Sequence, residues 1–288
     1  MIEIGSSEAP VILGVSPHKT ARQLWQEKVE LVEAKDEATE VMRRGTQLQV
    51  TVLAMLADDL GVPFDPAVYM EHTGYHKDRP WQRATPDMIW LHDTDVAIFA
   101  VGHCSIAEVK CTVAMAPDVP RVDWLVQVLH QRLVFPDAEH AYLAAFGGLT
   151  LKWWDVPKHQ RAMDRILRAE EAFLEAVEKE VPPPPTHRDA SSIARSWPYP
   201  RAAVKILDTP EARETAARYE LAKAAAAAAT QQEQQGAAEM KALIGDATAA
   251  VVPGVARYTF KPYQVNEQLR KAYTARPLKR VGKVEEDA

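Results

Sequence analysis

Asp87 closes the run Ala84-Thr85-Pro86-Asp87, and the triplet Glu108-Val109-Lys110 follows 21 residues later. On a β-strand, residues two apart project to the same face, so Glu108 and Lys110 are expected to point into one cleft. An aspartate at the start of the neighbouring strand can share a cation with Glu108. Carboxylate oxygens suit Mg²⁺, with Mn²⁺ as the alternative, because the hard ion keeps waters that a substrate phosphate can replace. The Val109 backbone carbonyl is a further candidate ligand. Lys110 then stands where it can hold an attacking water in line with phosphorus or help to deprotonate it. That is chemistry for cutting a phosphodiester. The triplet lies in Ala107-Glu108-Val109-Lys110-Cys111, charges within an otherwise apolar run. Uncompensated charge is costly there, which favours a functional role over a solubilising one.

Other candidate chemistry is weaker. His72, His76, His92 and His103 cluster in sequence without a second ligand at metal spacing, so surface or structural roles are expected for them. Trp153-Trp154 could stack on bases, but packing under the helix that follows is the expected role. No Walker-type glycine-rich phosphate loop is present, which disfavours an ATP-driven enzyme. The net charge of −6 and pI near 5.9 argue mildly against coating nucleic acid by bulk electrostatics. They leave room for DNA bound in a local channel beside metal-binding carboxylates. Two cysteines, Cys104 and Cys111, suit a reducing cytosol better than a disulfide scaffold. No apolar run is long enough to cross a bilayer, and no secretory signal opens the sequence, so a soluble cytoplasmic protein is expected.

The elements that must position these residues follow from patterning. Residues 1–181 read as a mixed α/β domain. Apolar residues at helical spacing predict helices over Thr20–Ala34 and Glu37–Leu60, the second stopped by Gly61 and Pro63. Strand-like pieces follow at Val68–His72, Asp87–His92, Val96–Val101 and Ser105–Thr112. An apolar helix over 122–134 and a strand pair, Ala141–Phe146 and Leu149–Trp154, turn about Gly147-Gly148. A helix over Lys158–Lys179 closes the unit. Pro182 to Pro185 cannot sit inside a helix and read as a spacer, the start of a linker over 182–209. Residues 210–288 form a carboxy-terminal extension. Its alanine-rich stretch to 245 predicts a long helix with a thin apolar stripe, fit for an oligomerisation or partner arm. A basic stretch, Arg270–Lys283, and an acidic end complete it.

Together these residues resemble the YqaJ-like viral recombinase family, within the PD-(D/E)xK nuclease superfamily. Ile4-Gly5-Ser6-Ser7-Glu8-Ala9 through Ser16-Pro17-His18-Lys19-Thr20 and Leu24-Trp25 is similar to its first motif. Met42-Arg43-Arg44-Gly45-Thr46 resembles the second, Thr85-Pro86-Asp87 the third and Glu108-Val109-Lys110 the fourth. Gln127-Val128-Leu129-His130-Gln131 resembles the helix motif that follows, and the likeness extends over roughly residues 4–185. The resemblance implies a restriction-endonuclease-like core, a central mixed sheet flanked by helices, with a helical carboxy-terminal extension. It implies that Asp87, Glu108 and the Val109 carbonyl hold Mg²⁺, that Lys110 activates water, and that Gln127 faces the same cleft. Ser7 and Thr85 would donate to a DNA phosphate, and Arg43 and Arg44 would contact the backbone.

The implied function is 5′-to-3′ degradation of one strand of linear duplex DNA, leaving 3′ overhangs for recombination by strand annealing. Implied partners are double-stranded DNA ends, two further copies in a trimeric ring, and a single-strand annealing protein of the RecT/Beta type. Two departures stand out. Where the family carries glutamate, four residues after the motif's glycine, this chain has Gln49, a poorer ligand that cannot serve as a base. Three readings stay open: an engineered substitution that permits binding without cutting, a natural one-metal site, or a DNA-end binder that never cuts. No arginine precedes Ser7 to grip a terminal 5′ phosphate, so another basic residue is expected to do so, or that preference is missing. A non-cleaving recombination accessory and an endonuclease with the same core are the alternatives.

Overall fold

The computed structural model describes residues 2–29, 40–64, 73–91, 104–196 and 204–261. The strands expected at Val68–His72 and Val96–Val101, the ends of two helices within 30–39, His72, His92, His103 and the charged tail lie outside these. The chain divides into two units, Met1–Pro198 and Tyr199–Ala288.

The first unit is built on a four-stranded mixed sheet, β4-β5-β6-β7. In chain order its elements are β1 (Ile4–Gly5), α1 (Ala9–Ile12), α2 (Ala21–Lys28), α3 (Glu40–Leu60), β2 (Gly74–His76), β3 (Arg79–Ala84), β4 (Met88–Leu91), β5 (Cys104–Cys111), α4 (Val122–Val134), β6 (Ala138–Gly147), β7 (Thr150–Asp155), α5 (Gln160–Glu178) and α6 (Ala190–Ser196). β5 runs antiparallel to β4 and parallel to β6, and β7 returns antiparallel beside β6. Both faces are covered. Ile106, Ala141, Leu143 and Ala145 pack with α4 and α5, while Ala107, Val109 and Ala144 pack with Val52, Leu53 and Leu56 of α3. This is the expected core, a mixed sheet between helices, and it explains why β5 reads as apolar on both faces.

Local signals place several boundaries. Thr20 caps α2 in a reciprocal box with Gln23. Gly61, at φ 67°, ends α3 in the left-handed conformation that glycine adopts without strain. Gly147 is required by contact: a Cβ there would lie 2.1 Å from the Ala114 carbonyl oxygen. The β6–β7 turn differs from expectation at Leu149, which lies outside β7 at φ 64° and is exposed. A second, smaller sheet, β1-β3-β2, was not expected. Its strands are short and rich in polar residues, so no alternation marks them. The tryptophan pair is split: Trp154 joins the core under α4 and α5, whereas Trp153 lies half-exposed, edge-on to Tyr142.

The segment after α5 does not run free. The Pro183 carbonyl accepts from Arg22, the Arg188 guanidinium donates to the Ser16 and Pro17 carbonyls, and buried Asp189 accepts from Thr20 and Thr186. It ties residues 182–196 back onto the amino-terminal elements. The second unit holds α7 (Pro210–Ile244) and a hairpin of β8 (Ala249–Val252) and β9 (Ala256–Thr259). Thr209 caps α7 and Gly245 ends it. Among the described residues, no helix is long and apolar enough to cross a membrane.

Candidate active site

The site forms where β4 and β5 diverge. Met88 pairs with Ala107, so carrying that ladder one residue further sets Asp87 across from Glu108. The Val109 amide donates to Asp87 Oδ2 at 2.6 Å. In extended backbone the N–H and C=O of one residue project to the same edge, which turns the Val109 carbonyl toward Asp87 as well.

Strand alternation separates the neighbours. Ala107 and Val109 face α3, and Glu108 and Lys110 face α4, where Gln127 and Gln131 lie one turn apart on one helical face. Glu108 is buried and surrounded by donors. Its Oε1 accepts from Lys110 at 2.7 Å and from Gln127 at 2.6 Å, and its Oε2 accepts from Gln131 at 2.5 Å. Lys110 also donates to Gln127 Oε1 at 2.8 Å. Burial lowers the Lys110 pKa, but the charge and hydrogen bond of Glu108, helped by Asp87 and Asp123, outweigh it and hold the value above that of ordinary lysine. Lys110 is therefore a fixed cation here, suited to orienting an oxygen or balancing charge.

Gln49 reaches the same place from the opposite face of the sheet. Gly45, one turn earlier on α3, lies against Cys111 at the end of β5, and Gln49 Nε2 donates to Asp87 Oδ1 at 2.7 Å. The amide thus presents its donor end to the aspartate.

The remaining residues singled out from sequence are spread around this centre. β1 and β3 are parallel with Gly5 opposite Arg83, so Ser7 and Thr85, each two residues further on, leave their strands at the same end. Ser7 is exposed, and Thr85 shares a 2.8 Å hydrogen bond with Thr73. Arg43 and Arg44 are exposed on α3. At ~100° per residue they lie about 120° and 140° round the helix from Gln49. Arg44 is paired with Glu40. His76 accepts from the Asp78 amide and takes no part in the site. Sequence reasoning missed Gln131 as a partner of Glu108; only its four-residue spacing from Gln127 on an apolar helix could have flagged it.

Among the described residues, no three His, Cys, Asp or Glu side chains gather as a metal cluster. The donor set nevertheless suits a hard divalent ion, which is commonly held by one or two carboxylates together with substrate oxygens. Asp87 and Glu108 supply the carboxylates, and the Val109 carbonyl adds a third oxygen. Gln131 Oε1, buried and without a hydrogen-bond partner beside Glu108, is an orphan acceptor that a bound water would satisfy.

A helix-flanked mixed sheet, an aspartate entering one strand and Glu-x-Lys on the next define the PD-(D/E)xK nuclease superfamily. The YqaJ-like viral recombinase domain model matches residues 2–133, the stretch that carries every site residue named above. Among solved structures, the alkaline exonuclease LHK-Exo of Laribacter hongkongensis is similar at 15% identity, over 62% of this chain and 89% of that one, with a TM-score of 0.46. The same enzyme in complex with dAMP is similar at 14% identity, over 67% and 92%, with a TM-score of 0.45. No curated protein matches the chain.

Proposed function

We propose that this chain is a Mg²⁺-dependent exonuclease that degrades one strand of linear double-stranded DNA from its 5′ end. The 3′ overhangs it leaves would serve recombination by strand annealing. The observation that supports this most is the environment of Glu108. A carboxylate buried in the core needs compensation, and Lys110, Gln127 and Gln131 supply donors that satisfy its oxygens and aim it. A purely structural acid would need no aspartate from the adjoining strand beside it.

On this reading Asp87, Glu108 and the Val109 carbonyl hold Mg²⁺, for which Mn²⁺ can substitute. The ion supplies charge neutralisation at phosphorus and a more acidic water. Lys110 and Gln127 orient the attacking oxygen and keep the charge balance of the cleft. Ser7 and Thr85 donate to a backbone phosphate at the strand ends they share, and Arg43 and Arg44 add cationic contacts further along the duplex. The protein works in the cytoplasm of a bacterial cell, on double-stranded DNA ends, as a trimeric ring with an annealing partner of the RecT/Beta type.

Gln49 supports a second reading. Its amide donates to Asp87, so the aspartate is partly satisfied without a cation. That favours a non-cleaving DNA-end binder that recruits the annealing protein. One experiment separates the two: incubate the chain with Mg²⁺ and a linear duplex labelled at its 5′ ends, beside a covalently closed circle. Exonuclease action releases nucleotides from the linear substrate and spares the circle. Binding of the linear duplex without release supports the second reading, and cutting of the circle points to an endonuclease.

A further inference from the structure

Beside the site, between α4, α5 and β3, lies a buried polar chain that the chemistry above does not use. His130 of α4, Glu170 of α5 and Gln82 of β3 are each fully buried. His130 Nδ1 meets Glu170 Oε1 at 2.6 Å, and His130 Nε2 meets the Arg83 carbonyl at 3.0 Å. Gln82 Nε2 donates to Glu170 Oε2 at 2.6 Å, and Arg79 Nε donates to Gln82 Oε1 at 2.6 Å. A carbonyl only accepts, so His130 Nε2 carries hydrogen and Nδ1 is the atom that shares a proton with Glu170. Every partner is thereby satisfied, and α4, α5 and β3 are joined at one point.

The position of that point matters. His130 sits beside Gln131 and one turn from Gln127, the two residues that hold Glu108. Arg83, whose carbonyl it grips, lies four residues before Asp87 on the same run of chain. One imidazole therefore fixes both the helix that aims Glu108 and the strand that delivers Asp87. Apolar packing alone would let α4 slide or rotate along the sheet by fractions of an ångström, whereas directional bonds to a carbonyl and a carboxylate set its register. We propose, on the nuclease reading above, that His130 and Glu170 are positioning residues that set the relation of Glu108 to Asp87. They act through hydrogen-bond geometry and not through charge.

The geometry makes a discriminating demand. In Glu170→Gln the new carbonyl can accept from Gln82 and the new amide can donate to His130 Nδ1, so every bond is remade without charge. In Glu170→Met both bonds vanish at similar volume. Cleavage rate, KM for a linear duplex and exchange of the Val109 amide would be measured for each variant that keeps a cooperative melt. That amide is held by Asp87, so its exchange reports the site without metal or DNA. E170Q should stay within about two-fold of the parent in all three. E170M should lose about 10–100-fold in rate, the scale typical of residues that orient metal ligands. Its KM should be unchanged and its Val109 protection clearly reduced, with the Leu143 amide of the core unmoved. His130→Gln, which reaches one of the two partners at most, is the milder break if E170M does not fold. Parent-like values in folded E170M or H130Q overturn the proposal, as does a ten-fold loss in E170Q. If the parent chain releases no nucleotides, the nuclease reading fails, and the Val109 exchange series still decides for or against positioning.

Discussion

At Glu108 the cost of burial and the demands of chemistry meet. A buried carboxylate with its donors removed is strongly destabilising, yet Glu108 keeps three side-chain donors and an aspartate for a neighbour. Glu108→Gln preserves shape and most bonds, so it should fold while lowering nucleotide release from linear duplex by at least about 100-fold, the scale on which one positioned group commonly counts. Melting the variant beside the parent checks that the fold is kept. Release at the parent rate would remove Glu108 from the site. Gln49→Glu works in the opposite sense. It replaces the amide donor on Asp87 with a second carboxylate, and like charges that close together are relieved by a divalent cation. Mn²⁺ affinity, followed by titration against the free-ion signal, should therefore rise. An unchanged affinity would detach Gln49 from the metal-binding question. That Glu108 and Lys110 share a face was legible because residues two apart on a strand do so, and both meet Gln127 of α4. Gln131, His130 and Glu170 were not legible: they meet Glu108 or each other across 23 to 40 residues, where no local period reports contact.

Elements were legible where a long apolar run or a glycine stop marks them. The helix expected over 122–134 is α4 itself, and the glycine stop after Leu60 ends α3 where the left-handed conformation requires it. The β1-β3-β2 sheet was hidden because two- to six-residue strands with polar members carry no alternation. The run after the prolines looked like a linker because its attachment is made by side chains to distant backbone, Arg22 to Pro183 and Arg188 to Ser16. Thr20 is the pivot of that attachment, since it caps α2 and also donates to buried Asp189. Thr20→Ala removes both roles and should cost about 1–3 kcal/mol in urea unfolding. A change below a few tenths would mean the strap contributes nothing. Asp189 adds a pH signature. Burial raises its pKa, but hydrogen bonds from Thr20 and Thr186, with the charge of Arg22, outweigh this and hold it below the ordinary 3.8. A depressed folded value means the stabilisation is complete above the unfolded value and disappears as pH falls through the folded one. The stability gap between the parent and Asp189→Asn should thus be widest near neutrality and narrow below about pH 4. A gap that is constant from pH 7 to 3 would contradict this.

For the whole molecule the question is why the first unit carries a second one so unlike it. α7 spans 35 residues, and among them only Ile244 is buried. Its run of alanines can sustain a helix by intrinsic propensity, so it does not need a core of its own. At 1.5 Å per residue it extends about 52 Å, the reach of an arm rather than a domain. Leu221 and Leu243 are exposed on it, side chains that a soluble helix gains nothing by displaying. The boundary at Pro198 falls after α6, so cutting there spares the ties of Arg188 to Ser16 and of Asp189 to Thr20. Removal of residues 199–288 should leave a first unit that melts within a few degrees of the parent and still frees nucleotides from linear duplex. Its mass by light scattering should fall to that of a smaller assembly, or its capture of an annealing protein should be lost. If the truncated chain keeps both the parent's assembly state and its partner binding, α7 is not the arm. If instead it no longer folds, the role of α7 lies in the stability of the first unit.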